Sequence, residues 1–160
     1  MSLQESQKDN LVPNKPALDI FSEVLSLIAT ARAERLQRSY KCIEYAEKAV
    51  SLALANQLTF QAAEAKVEIA NYYTNVLRDY NAALHHALEA HVLLGNEYQP
   101  FLSANIFKLV GVCYHWTGNF TNAVSNYLQA AKILEIEIPK TREELLLAGS
   151  LHYNIILIYQ

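Results

Sequence analysis

His85, His86, His91, His115 and His152 are the side chains of this chain best suited to holding a metal ion or moving a proton near neutral pH. A helix offers a metal two ligands from one face only when they lie three or four residues apart. His85 and His86 are adjacent, His91 follows His86 by five residues, and no pair has the required spacing. We expect no metal site. Cys42 and Cys113 each fall inside an apolar-periodic stretch and form no paired motif, so both read as small buried hydrophobes of a reducing cytoplasm. The chain has no serine elbow, no Gly-rich phosphate loop and no carboxylate pair set for acid–base work. Neither a catalytic residue nor a cofactor is expected, and the chain reads as non-enzymatic. Glu143 and Glu144 suit the first turn of a helix, where acids complement the dipole. Arg32, Arg35, Arg38 and Lys41 gather where a first hairpin should turn, and read as a solvated basic patch.

The elements that position these groups are helices. Only four glycines and four prolines occur in 160 residues, and they sit where helices start or stop. The pattern predicts seven helices: Ala17 to Gln37, Ser39 to Asn56, Thr59 to Leu77, Tyr80 to Gly95, Pro100 to Thr117, Phe120 to Glu137 and Arg142 to Gln160. Pro16 and Pro100 suit first helical turns, and Thr141 with Glu144 spells a capping box. Arg78-Asp79 and Gly118-Asn119 occupy equivalent tight turns, which make the flanking helices antiparallel pairs. Three hairpins and a lone last helix result.

Gly111 to Leu134 reads GVCYHWTGNFTNAVSNYLQAAKIL, and forty residues upstream Asn71 to Leu94 reads NYYTNVLRDYNAALHHALEAHVLL, with the same order of apolar and small positions. Ala83, Ala87 and Ala90 align with Ala123, Tyr127 and Ala130, and Cys42, Ala46 and Ala49 fill the same slots one unit earlier. Small residues at that spacing let helix backbones approach closely. The arrangement resembles the tetratricopeptide repeat (TPR). Its best copy, Ala104 to Glu135, carries Gly111, Tyr114, Gly118, Phe120, Ala123, Tyr127 and Ala130 in the pattern, with Phe107 in place of the usual Trp. Asn71, Tyr80, Ala83 and Ala90 continue it, Thr74 and Ala87 depart from its aromatic positions, and the first unit has Thr30 and Ser39 at two landmarks. The last helix looks like the first half of another unit, with Tyr159 in the aromatic slot. The resemblance implies an all-α, right-handed superhelix of about three and a half repeats whose concave wall receives a peptide or a protein partner. Units of about forty residues look like the extended variant found in bacterial signalling proteins.

A helical projection puts Asn105, Lys108, Val112 and His115 on one face of the fifth helix. The repeat register matches them with Ala65, Glu68, Tyr72 and Asn75 on the third helix and with Ser150, Tyr153, Leu157 and Gln160 on the seventh. The expected groove residues are Glu68, Tyr72, Asn75, Asn105, Lys108, Val112, His115 and Tyr153, a mixed wall suited to a peptide backbone. Glu68 and Lys108 could pair across adjacent helices. Some TPR proteins clamp a partner's terminal carboxylate with cations and amides. Glu68 stands where such a clamp wants a neutral or basic group, which disfavours a chaperone-tail ligand.

A formal charge of -3 and a pI near 5.9 give no positive field for a nucleic acid backbone. Mean hydropathy of +0.03 and the lack of a long apolar run exclude a membrane span. Residues 1–16 are polar and proline-punctuated, which predicts a disordered leader ahead of a repeat domain at 17–160. The last helix carries more apolar positions than one packed face uses, which suggests a longer polypeptide or a homodimer through that helix. The resulting expectation is a cytoplasmic protein-interaction module, the regulatory or sensory segment of a larger bacterial signalling protein. The alternatives are a sensor for a small peptide pheromone and a self-associating scaffold.

Overall fold

A computed structural model describes residues 17–158. The leader at 1–16, together with the expectations placed on Pro16, Tyr159 and Gln160, lies outside the described residues. The helices are α1 (Ala17–Leu36), α2 (Lys41–Ala55), α3 (Thr59–Tyr72), α4 (Tyr80–Leu94), α5 (Pro100–Trp116), α6 (Phe120–Ile136) and α7 (Arg142–Ile158). The third helix does not run evenly to Leu77. Its last turn, Tyr73–Leu77, is wound as a π-helix.

The ends follow local chemistry. Asp79 accepts from the Ala82 N–H at 3.0 Å and Asn119 from the Asn122 N–H at 3.2 Å, so the two equivalent turns are capped alike. Thr141 and Glu144 complete both halves of their capping box, at 3.1 and 3.0 Å. The first hairpin, the α2–α3 turn and the third hairpin close with an N–H reaching back five residues: Ser39 to Glu34, Leu58 to Ala53 and Asn119 to Tyr114. In the second hairpin Asp79 reaches back six, to Tyr73, because the π turn holds one residue more. Each of these turns needs a left-handed residue, and Arg38, Gln57 and Arg78 take that conformation where the third hairpin has Gly118.

Consecutive helices pack as antiparallel neighbours, and α1, α3, α5 and α7 also touch in series. That second series makes one continuous wall. The apolar core is correspondingly drawn out into clusters along the array. Ala46, Ala49, Ala83, Ala87, Ala90, Ala123 and Ala130 are all fully buried, as the repeat register requires. The exception among these slots is Tyr127, and its partner explains it. A Cβ built on Gly111 would meet the Tyr127 ring at 2.5 Å, so the ring fits only over glycine. One unit earlier the corresponding residues are Asn71 and Ala87, a larger side chain matched with a smaller one.

Candidate functional site

Two cavities open on the wall formed by the odd-numbered helices. The first, about 320 Å³, lies against the N-terminal halves of α5 and α7 and the middle of α3, and is lined by Arg32, Glu64, Glu68, Asn105, Glu143 and Glu144 among others. The second, about 250 Å³, lies toward the C-terminal ends of α3 and α5. Its polar lining includes Asn71, Thr74, Asn75, Arg78, Tyr80, Lys108, Ser150 and Asn154.

Glu68 organises the first cavity. It is 4% exposed and takes Arg32 Nε on one oxygen and Arg35 Nε on the other, both at 2.8 Å, while Arg32 also reaches Glu64 at 3.2 Å. The expected Glu68–Lys108 pair does not form. Arg32 and Arg35 were expected in a solvated turn, but α1 leans across α3 and brings both guanidinium groups onto the buried carboxylate. Desolvated charge needs such partners. Asn105 lines the same cavity, its Oδ1 buried and without a hydrogen-bond partner among the described residues.

In the second cavity Lys108 is half-buried, and among the described residues no carboxylate lies within 4.0 Å of its Nζ. Burial, reinforced by the Arg35 charge, pushes its amine down to about 8. Arg78, at the left-handed end of the π turn, is the other cation there. Trp116, 57% exposed, borders this cavity and stacks on Tyr80 with ring centroids 5.7 Å apart and planes 7° apart.

The expected wall is therefore partly reassembled. Glu68 and Asn105 meet in the first cavity, and Asn75, Lys108 and Val112 in the second. Tyr72 does not belong to the groove. It is 3% exposed in the cluster with Ala31, Cys42 and Ile43, its ring edge-on to Tyr40, because α1 and α2 cover that part of α3. Ala65 is fully buried in a core cluster as well. Tyr153 is 62% exposed, and the α7 residues that line the second cavity are Ser150 and Asn154, so the inward face is rotated by about one position from the projected one. His115 packs with Trp116 and Phe120 at the third hairpin turn and lines neither cavity. Arg32, Asn71, Arg78, Trp116 and Asn154 line these cavities without having been foreseen there. Arg32 had a sequence signal in the basic cluster of the first hairpin, and Arg78 had one in its place in a tight turn equivalent to Gly118.

His85 and His86 approach Glu89 at 3.6 and 3.4 Å on the opposite side of the array, where Lys66 also reaches it at 2.8 Å. Burial, then the Lys66 charge, lowers the His86 imidazole from its ordinary value. This group is a surface network between α3 and α4. Among the described residues no three His, Cys, Asp or Glu side chains gather as a metal site would need, and no helix is long and apolar enough to cross a membrane.

The spatial arrangement has a counterpart among solved structures. The crystal structure of a TPR-like protein from Chlorobium tepidum TLS superposes with a TM-score of 0.70, covering 89% of this chain and 98% of that one at 13% identity. The fold is TPR-like. No family model matches the sequence, and no curated protein does.

Proposed function

We propose that the groove formed by α1, α3, α5 and α7 binds an extended segment of a partner protein or a peptide. The observation that carries this reading is the pair of cavities of opposite character along α3, α5 and α7: carboxylates on one side, the cations Arg78 and Lys108 on the other. A segment lying across both is oriented by its own charge pattern and passes over Asn105 in the first cavity. The contact residues are Glu68, Asn75, Asn105, Lys108 and Val112, joined by Asn71, Arg78 and Asn154. In this reading the module is the regulatory segment of a cytoplasmic bacterial signalling protein, and occupancy shifts neighbouring repeats slightly against one another. A peptide-pheromone sensor is the version in which the ligand is a free short peptide.

Peptides selected from a random display library against the protein test the groove by calorimetry. Lys108→Ala and Asn105→Ala should each weaken the selected peptides about tenfold, the equivalent of ~1.4 kcal/mol. Selected ligands indifferent to both substitutions would remove the groove from consideration.

A second reading, self-association through α7, is favoured by one observation. Leu145, Leu146 and Ile156 are 64%, 61% and 56% exposed, and a Cβ added at Gly149 would meet nothing within 4 Å. Sedimentation should then show a concentration-dependent dimer that Ile156→Glu abolishes. A monomer at every concentration refutes this version.

A further inference from the structure

We propose that the edge of the array formed by the three hairpin turns docks on an anionic lipid surface, with Trp116 and Phe120 entering the headgroup layer and Arg38, Lys41 and Arg78 meeting lipid phosphates. This edge is a different face from the groove, and its role does not depend on what the groove holds. Because consecutive helices run antiparallel, the C-terminal ends of α1, α3 and α5 and the N-terminal ends of α2, α4 and α6 share one side, with turns at 37–40, 78–79 and 117–119. Leu36, Tyr40, Leu77, Trp116 and Phe120 are all exposed there. Ring contacts join turn to turn: Tyr40 stands edge-on to Tyr72 at the end of α3, Tyr80 stacks on Trp116, and His115 touches both Trp116 and Phe120. The result is one exposed strip, larger than singly scattered apolar residues would make.

Charge is polarised along the helix axes in the same sense. Arg38 and Arg78 occupy left-handed turn positions where the third hairpin has Gly118, and Lys41 opens α2. All three are exposed, and among the described residues none is ion-paired. Asp79 is the acid of these turns, and its carboxylate is engaged in capping α4 through the Ala82 N–H, while Glu34 and Glu44 lie back within the helices that flank the first turn. The opposite edge gathers Glu97, Glu135, Glu137, Glu143 and Glu144 against Lys140 and Arg142. An anionic surface therefore attracts the turns and repels the other edge.

A bilayer fits this strip better than a protein segment does. Leu36, Tyr40, Leu77 and Phe120 line neither groove cavity, and they stand at or beside turn tips, where side chains can enter a headgroup layer without moving a helix. Amphipathic rings interleaved with cations are the composition of an interfacial belt. No described helix is long and apolar enough to cross a membrane, so the contact is peripheral.

Trp116 is the single tryptophan and reports on the contact directly. Vesicles of phosphatidylcholine with about one-third phosphatidylglycerol should co-sediment the protein, shift Trp116 emission to the blue and quench it when the acyl chains are brominated near the headgroup. Pure phosphatidylcholine vesicles should bind severalfold more weakly, and added salt should weaken the anionic case. Arg38→Gly combined with Arg78→Gly removes two cations at positions where glycine relieves strain, so folding is kept while lipid affinity falls about tenfold or more. Phe120→Ser should lower affinity severalfold, and Val92→Ser, at the exposed C-terminal end of α4 on the opposite edge, should leave it unchanged. No co-sedimentation with the anionic vesicles, or binding that leaves Trp116 emission unmoved, overturns the proposal. So does wild-type affinity in the double glycine variant, or an equal loss in Val92→Ser and Phe120→Ser. A Trp116 shift produced by soluble poly-glutamate and not by vesicles assigns the edge to an acidic protein partner and overturns the lipid reading.

Discussion

Glu68→Gln removes one negative charge from beneath two guanidinium groups while keeping the side chain's shape. The Glu68 side chain is 5% exposed, and those of Arg32 and Arg35 are 41% and 19% exposed. A charge-assisted hydrogen bond between desolvated partners contributes about 1.5–3 kcal/mol, and the Arg35 contact belongs in that range. Arg32 is open enough to rehydrate and already has Glu64 at 3.2 Å, so its share falls toward the ~0–1 kcal/mol of an exposed pair. Together these set an expected loss of about 2–3 kcal/mol. In urea the midpoint should fall with the slope unchanged, since the same surface unfolds. The thermal midpoint should drop by roughly 5–10 °C. Arg35→Met in the Glu68→Gln background should cost less than it does alone, because the two groups share one interaction. A loss below about 0.5 kcal/mol, or fully additive substitutions, would refute the claim that this buried triad ties α1 to α3.

Gly111→Ala should destabilise by about 1–2 kcal/mol, since overpacking against the Tyr127 ring at 2.5 Å outweighs the gain in helix propensity, and Tyr127→Leu should relieve most of it; a more stable Gly111→Ala by urea unfolding contradicts the close approach. Gln57→Gly should gain about 0.5–1 kcal/mol by removing left-handed strain, and Gly118→Ala, with open space but φ of +83°, should lose a similar amount. Differential scanning calorimetry checks both signs. Burial pushes the Cys42 and Cys113 thiols up to about 11, so at pH 8 only roughly a thousandth is thiolate. A thiol reagent should label both slowly and at rates that accelerate with urea, and a burst of fast labelling at either would show it to be accessible.

The helices and their stacking were legible from the chain because their causes are local and periodic. Scarce glycine and proline leave long helices, Asp79, Asn119 and Thr141 with Glu144 state where helices begin, and the alanine slots recurring at forty residues state which faces meet. The groove was legible only in part. Glu68, Asn105 and Lys108 follow from the period, since any inward face of a stacked helix repeats with it. Tyr72 and Tyr153 fail for reasons that a projection along one helix does not contain. Packing of α1 and α2 against that part of α3 buries the first, and the face of α7 that looks inward, offset by about one residue from the projected one, turns the second outward while bringing Asn154 in.

Charge pairing shows the same division most clearly. Composition supplies Arg32, Arg35, Glu68 and Lys108, and sequence register alone made Glu68 and Lys108 neighbours. Pairing depends on distance in space, and the packing of α1 against α3 gave the carboxylate to Arg32 and Arg35. Among the described residues the same geometry leaves Lys108 without a counter-ion. The π turn behind Arg78 was likewise not foreseen, because a single widened turn has no residue pattern of its own. Side-chain periodicity determined that a stack with one free wall would form. Inter-helix tilt and rotation, which arise from contacts far apart in the chain, decided which groups that wall presents.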